Sequence, residues 1–133
     1  MKVVVHVDGG ARGNPGPAAA GAVISTPQGE VLGEASELLG EVTNNVAEYR
    51  ALLLGLAEAR ALGATEVEVV NDSELVAKQI GGAYKVKHPA MRPLYLDAMA
   101  ALRDFERWSI RSVPRAENAQ ADALVNAALD AAG

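Results

Sequence analysis

Four carboxylates are predicted to stand at the ends of separate structural elements: Asp8, Glu48, Asp72 and Asp122. Asp8 and Asp72 each close a valine-rich run, whereas Glu48 falls in the predicted first turn of a long helix and Asp122 near the start of the last one. The carboxyl ends of parallel strands share one edge of a sheet, where α/β folds build ligand sites. Four acids at that edge would repel one another unless cations lay between them. The pattern therefore predicts a divalent-metal site.

Each acid also has an ordinary structural explanation. Asp8 could belong to a turn, because Asp favours turns. Glu48 fits a capping-box pattern, and Asp72 could cap the helix that follows it. Asp122 is harder to explain in this way, because it lies in an Ala- and Leu-rich helix with alanine on both sides. Four such explanations at one sheet edge are less economical than one metal site.

Composition limits the class of protein. The 133 residues are predicted to form a single domain, 1–133, with a core of Val, Leu, Ile and Ala, because aromatic residues make up only 4% of the chain. The absence of cysteine excludes disulfides and thiolate metal sites. No apolar run approaches the roughly 20 residues of a membrane span, and no signal peptide is recognised, so a cytoplasmic protein without a membrane partner is expected. The net charge of −5 argues against a nucleic-acid partner, but two bound divalent cations would cancel most of it.

The apolar pattern predicts nine elements. Strands are expected at 2–8, 20–25, 30–38, 66–71 and 108–113, and helices at 45–62, 73–80, 90–105 and 118–131. The order β-β-β-α-β-α-α-β-α combines a meander with right-handed crossovers. It predicts an α/β fold with a mixed five-stranded sheet and helices on both faces.

Four short motifs, in order along the whole chain, resemble those of the type 1 ribonuclease H family. They are Val7-Asp8-Gly9-Gly10 with Gly13-Asn14-Pro15-Gly16-Pro17, then Thr43-Asn44-Asn45-Val46-Ala47-Glu48, then Asp72-Ser73, and finally Glu117-Asn118-Ala119-Gln120-Ala121-Asp122. Each motif alone is weak, but all four at the ends of the appropriate elements are specific. The resemblance implies the ribonuclease H-like fold and cleavage of the RNA strand of RNA–DNA hybrids to 5′-phosphate and 3′-hydroxyl ends.

The resemblance also implies a cofactor and a role for each acid. Two Mg²⁺ ions per active site are expected with substrate bound, and Mn²⁺ is expected to substitute. Asp8 would bridge the ions, and Asp122 would help to hold the one that activates water. Glu48 and Asp72 would hold the ion beside the leaving 3′-oxygen.

Substrate contacts are implied at several polar or glycine positions of the same motifs. Asn14, Asn44 and Asn45 match positions that contact the hybrid in its minor groove, where an amide can both donate to and accept from a 2′-hydroxyl. For Asn14 and Asn44, a role as turn residues is the alternative. Other substrate contacts are expected from the same motifs. Thr43 matches a position that holds a DNA-strand phosphate.

The remaining contacts expected from the motifs are Gly9, Gly10 and Ser73. The expected partner is an RNA–DNA hybrid bound by a monomer, with double-stranded RNA left open as a second substrate.

Two departures from the family pattern bear on mechanism. Many relatives carry a catalytic histidine in the loop before the last acid, but residues 112–117 contain none. Arg115 is the nearest candidate to assist electrostatically, and the alternative is an exposed arginine contacting solvent or Glu117. The basic protrusion of several relatives is reduced here to residues 82–88 with two lysines.

Two other functions are the alternatives: a hybrid-binding module without turnover, and a small-molecule phosphatase.

Overall fold

The computed structural model describes all residues from Met1 to Gly133. The strands are β1 (Lys2–Ala11), β2 (Gly16–Ser25), β3 (Val31–Val42), β4 (Glu66–Asn71) and β5 (Arg107–Ser112). The helices are α1 (Asn44–Ala61), α2 (Glu74–Ile80), α3 (Arg92–Arg103) and α4 (Ala119–Ala132), and a short 3-10 helix spans Arg115–Asn118. The predicted order of strands and helices is confirmed. No helix combines the length and apolar character needed to cross a membrane.

The five strands form one mixed sheet in the order β3-β2-β1-β4-β5. β1, β2 and β3 pair antiparallel as a meander, whereas β4 runs parallel to both β1 and β5. The crossovers that connect parallel strands contain the helices, as expected for a βαβ connection. β1 is therefore central, with neighbours of both orientations, and its carboxyl end shares an edge with that of β4.

Aliphatic side chains fill both faces of the sheet. On one face, the valines of β1 pack against α1 residues such as Leu52 and Leu56, which are almost completely buried. On the other face, Val125 and Leu129 of α4 cover Ala19 of β2. Burial of these groups stabilises the fold by roughly 25 cal/mol for each Å² removed from water. The prediction of helices on both faces is confirmed.

β1 is longer than predicted, and this changes the place of Asp8. The strand continues to Ala11, because its antiparallel pairing with β2 extends to the pair Ala11–Ala18. Its parallel pairing with β4 ends at His6–Val70. Asp8 is therefore inside a strand, and the prediction that it ends the strand is wrong. It still lies just beyond the last parallel pair, at the edge where β4 stops.

α1 lies unusually close to β1 at Gly9. A Cβ atom on Gly9 would overlap the carbonyl oxygen of Ala47 and would lie 2.6 Å from the amide nitrogen of Glu48. α4 makes a similar approach to β2 at Gly21, where a Cβ would lie 2.8 Å from the carbonyl oxygen of Ala121. The two helices that carry Glu48 and Asp122 are thus seated against glycines of the sheet.

We expect Gly9→Ala to destabilise the protein strongly, because the new methyl group would force the backbone of α1 away from β1. Overpacking of this kind costs about 1–3 kcal/mol or more. Gly10→Ala is the matched control on the same strand, since its Cβ would meet only a Val125 methyl at 3.5 Å. Urea unfolding of both variants measures the difference, and equal free energies of unfolding would contradict the close-approach argument.

Candidate active site

Three of the four predicted acids meet at the carboxyl edge of β1 and β4. Asp8 lies on β1 and is only 5% exposed, Glu48 lies on α1, and Asp72 follows β4 directly. Each offers a carboxylate oxygen, and these oxygens all lie within 4.8 Å of one another. Such a set of hard oxygen donors is what Mg²⁺ and Mn²⁺ prefer.

Asp122 lines the same pocket from α4, the helix that covers the face of the sheet opposite α1. It lies in the first turn of α4 and faces the pocket together with the other three acids. Its Oδ1 atom accepts a hydrogen bond from Arg115 Nη2 at 3.1 Å, and its Oδ2 atom accepts one from Asn126 Nδ2 at 3.3 Å. The structure therefore brings all four carboxylates to one cleft, with Asp122 held at both oxygens.

The crowded acids retain their protons more strongly than isolated ones. Burial, together with the charges of Asp72 and Asp122, raises the pKa of Asp8 to about 8. Burial and the charge of Asp8 raise the pKa of Glu48 to about 9. Burial also raises the pKa of Asp72. Bringing a divalent cation among them would favour the charged forms, so cation binding is expected to release protons.

The capping explanations for Glu48 and Asp72 are wrong. α1 begins at Asn44 with Thr43 as its N-cap, and the Thr43 hydroxyl accepts from Val46 N at 3.3 Å. Glu48 therefore lies in the second turn rather than the first, beyond the capping position. The cap of α2 is Ser73, whose hydroxyl accepts from Val76 N at 3.2 Å. Helix capping therefore explains neither Glu48 nor Asp72.

Thr43 and Ser73 are the residues that cap these two helices. Both hydroxyls satisfy backbone amides at helix N-termini, an interaction that contributes about 1 kcal/mol to stability. Neither residue lines the acidic pocket. Their assignment as substrate contacts stays a prediction.

Asn14 and Asn44 connect the segments beside the pocket. Asn44 Oδ1 accepts from Ala11 N at 2.9 Å, and Asn14 Oδ1 accepts from Asn44 N at 3.0 Å. The two side-chain carbonyls thus tie the end of β1 and the loop at 12–15 to the start of α1, as a structural role would require. Both residues are exposed, as is Asn45. Asn44 lines the pocket, whereas Asn14 and Asn45 lie outside its lining.

Gly9 and Gly10 form part of the pocket wall. The amide nitrogen of Gly9 donates to Glu48 Oε1 at 3.3 Å and so orients that carboxylate. Gly9 is buried under α1, and helix packing requires its lack of a side chain. The assignment of Gly9 and Gly10 as substrate contacts stays a prediction.

Three residues at or beside the site were not predicted from the sequence as functional residues. Arg12 and Asn126 line the pocket, and Asn118 is buried next to it. Asn118 Nδ2 donates to the carbonyl oxygen of Val7 at 2.8 Å and thereby ties the segment before α4 to β1 beside Asp8. Asn126 lies one helical turn after Asp122, so helical spacing alone could have indicated it.

Neither histidine lines the pocket. His6 is half-buried on β1, and burial lowers its pKa, while His88 lies in the segment between α2 and α3. Arg115 is the cation beside the last acid, and it contacts Asp122 rather than Glu117. Its positive charge acts to lower the pKa of both Asp8 and Glu48.

The strand order and the acidic cleft at the carboxyl edge of the central strands are those of a ribonuclease H-like fold. The model of the family described as "Reverse transcriptase-like" matches residues 6–128. The crystal structure of RNase H1 from Halobacterium salinarum superimposes with a TM-score of 0.95 at 44% sequence identity and covers 98% of both chains. The chain belongs to the ribonuclease H family.

Two further relatives extend the comparison. LC11-RNase H1, solved in complex with an RNA/DNA hybrid, has a TM-score of 0.94 at 42% identity and covers 98% of both chains. The bifunctional protein Rv2228c of Mycobacterium tuberculosis is 53% identical over 133 residues. That match covers 99% of this chain but only 36% of the mycobacterial protein, so the chain spans about a third of that relative's length.

The raised pKa values predict how stability depends on pH when no metal is bound. The ordinary values of 3.8 for Asp8 and 4.5 for Glu48 rise to about 8 and about 9 on folding. The unfolded chain therefore loses these protons first as pH rises. The stability from the protonated acids is present below the ordinary values and is lost as pH climbs towards 9.

We expect the melting temperature in EDTA to fall between pH 5 and pH 9 by several degrees more for the wild type than for Glu48→Gln. Mn²⁺ should reverse the loss at high pH in the wild type, because it binds the ionised acids. Thermal melts of both proteins across this range test the argument. Parallel curves for the two proteins in EDTA would contradict it.

Proposed function

We propose that the chain is a metal-dependent endoribonuclease that hydrolyses the RNA strand of RNA–DNA hybrids and leaves 5′-phosphate and 3′-hydroxyl ends. The observation that carries the proposal is the convergence of Asp8, Glu48 and Asp72 within 4.8 Å in a pocket that Asp122 also lines. A relative 42% identical to this chain was solved with an RNA/DNA hybrid, which supports a hybrid as the substrate.

The donor set fits a hard divalent cation. The pocket offers four carboxylates and neither thiolate nor imidazole, which favours Mg²⁺, with Mn²⁺ as a substitute, over Zn²⁺. Asp8, Glu48 and Asp72 would hold one ion, and Asp122 would join Asp8 in holding a second. When bound, such ions lower the pKa of water and stabilise the charge that develops on a phosphodiester.

The protein's own groups would position the phosphate and balance its charge. All four acids line the cleft together with Arg115. A phosphodiester bound in this cleft would meet the Arg115 guanidinium, which remains largely exposed despite its contact with Asp122. Because an arginine does not exchange protons near neutral pH, its assistance would be electrostatic.

Recognition of RNA would rest on the three asparagines beside the cleft. The carbonyl oxygens of Asn14 and Asn44 are already bonded to backbone amides, so their amino groups are what remain to donate to a 2′-hydroxyl. The exposed Asn45 would supply both a donor and an acceptor. A 2′-hydroxyl also occurs in double-stranded RNA, so cleavage of that duplex beside the hybrid shows whether it is a second substrate. We further infer a monomer that acts in the cytoplasm.

Cleavage of labelled duplexes tests the proposed function. With Mg²⁺ we expect the RNA strand of a hybrid to be cut, and duplex DNA and a small phosphate ester to remain intact, because only RNA presents a 2′-hydroxyl next to the cleaved bond. Asp8→Asn keeps the size of the side chain but removes a charge at the centre of the cluster, so cleavage should fall by several powers of ten. Its melting temperature in EDTA should stay the same or rise, because repulsion among the acids is relieved.

Three results would count against the proposal. Near wild-type cleavage by Asp8→Asn would remove its basis. Tight hybrid binding without cleavage in Mg²⁺ or Mn²⁺ would favour a binding module. Hydrolysis of the small ester alone would favour a phosphatase.

Arg115 is predicted to take over part of the role of the histidine found in many relatives. We expect Arg115→Ala to slow multiple turnover about ten-fold, which corresponds to ~1.4 kcal/mol. Arg115→Lys should restore part of the rate, since it keeps the charge without the planar fork. Steady-state rates for the three proteins decide the matter, and equal rates would mean that the chain works without any substitute for the histidine.

A further inference from the structure

A polar bridge connects Asp122 to the loop between β1 and β2. Asn126 lies one helical turn after Asp122 on α4. Its Nδ2 atom donates to Asp122 Oδ2 at 3.3 Å and to the Asp122 carbonyl oxygen at 3.2 Å. On its other side, Asn126 Oδ1 accepts from Arg12 Nη2 at 3.4 Å. The amide therefore lies between a carboxylate and a guanidinium.

Arg12 and Asp122 together determine which way this amide points. A guanidinium can only donate hydrogen bonds, and an ionised carboxylate can only accept them. With Arg12 on one side and Asp122 on the other, the Asn126 oxygen must face Arg12 and its amino group must face Asp122. The opposite orientation would place two donors together and two acceptors together.

Arg12 is itself held by the same helix. Its Nη2 atom lies 2.7 Å from Asp130 Oδ1, and Asp130 follows Asn126 by one further turn of α4. Asp122, Asn126 and Asp130 thus recur at intervals of four residues on one face of the helix. The Arg12–Asp130 pair is half-exposed to exposed, so it adds little stability of its own. Its evident effect is to keep Arg12 against Asn126.

We propose that Asn126 is a positioning residue for Asp122 and that Arg12 sets its orientation; this inference rests on the proposed function. Asn126 holds Oδ2 of Asp122 while Arg115 holds Oδ1, so the carboxylate plane is fixed from both sides. Arg115 is exposed and can turn towards a substrate, whereas Asn126 is half-buried on the helix that carries Asp122. Asn126 then keeps the carboxylate turned into the cleft when Arg115 leaves it.

The test separates positioning from substrate binding. In hybrid cleavage we expect Asn126→Ala to lower kcat about ten-fold with KM within about two-fold, because the substrate itself is not contacted. The Mg²⁺ concentration for half-maximal activity should rise. Asn126→Asp should be slower still, because a carboxylate would accept from Arg12 but repel Asp122. Calorimetric titration with Mn²⁺ alone should show weaker binding by Asn126→Ala.

Arg12 variants test the relay. Arg12→Ala should resemble Asn126→Ala, and the double variant should be no slower than Asn126→Ala alone, as for two residues that act through one contact. Arg12→Lys should recover most of the rate, because it still donates to Asn126 Oδ1. Arg60→Ala is the matched control, since it removes an exposed arginine from an ion pair with Asp104 at 2.6 Å, away from the cleft.

The salt dependence of KM separates this role from a direct contact. If Arg12 bound a substrate phosphate, Arg12→Ala would raise KM and reduce the slope of log KM against log salt by about one. That result, or unchanged kcat and Mn²⁺ affinity in Asn126→Ala, would overturn the proposal. Failure of the wild type to cleave any hybrid would refute the proposed function instead, and the Mn²⁺ titrations would still decide whether Asn126 positions Asp122.

Discussion

The close approach of α1 to β1 is the constraint on which the site depends. Gly9 leaves no side chain between the strand and the backbone at Ala47 and Glu48, so the helix can sit directly on the strand that carries Asp8. Without that approach the oxygens of Asp8 and Glu48 would not share a site with Asp72. Gly21 plays the corresponding part on the other face, where α4 brings Asp122 to the same cleft.

This packing brings like-charged carboxylates close enough to repel one another. Burial and mutual repulsion raise the pKa of both Asp8 and Glu48, so the apolar core must stabilise a site that is unfavourable without cations. The central position of β1 makes this feasible, because the strand is held on both sides by paired neighbours. A site under such strain is suited to bind a divalent cation, since the cation removes the repulsion that the fold imposes.

The last acid is held by different means. Asp8, Glu48 and Asp72 are ordered by the packing of β1, α1 and β4, whereas Asp122 on α4 is also oriented by hydrogen bonds from Arg115 and Asn126. Asn118 adds a buried bond to β1 just before that helix begins. Packing therefore orders three of the acids, whereas side-chain hydrogen bonds help to orient the fourth.

The sequence by itself determined the order of the elements and the sheet type, because both depend on local periodicity. It also predicted, from short motifs next to a strand or helix, the four acids that the structure brings to one cleft. It misjudged the end of β1 and the turn that holds Glu48, since these depend on pairing with β2 and on the Thr43 cap. Only the tertiary structure decided the role of Gly9 and the bridge from Arg12 to Asn126, whose partners are 114 residues apart in the chain. Contacts at such separation leave no local pattern, because they arise only when α4 folds back over the sheet.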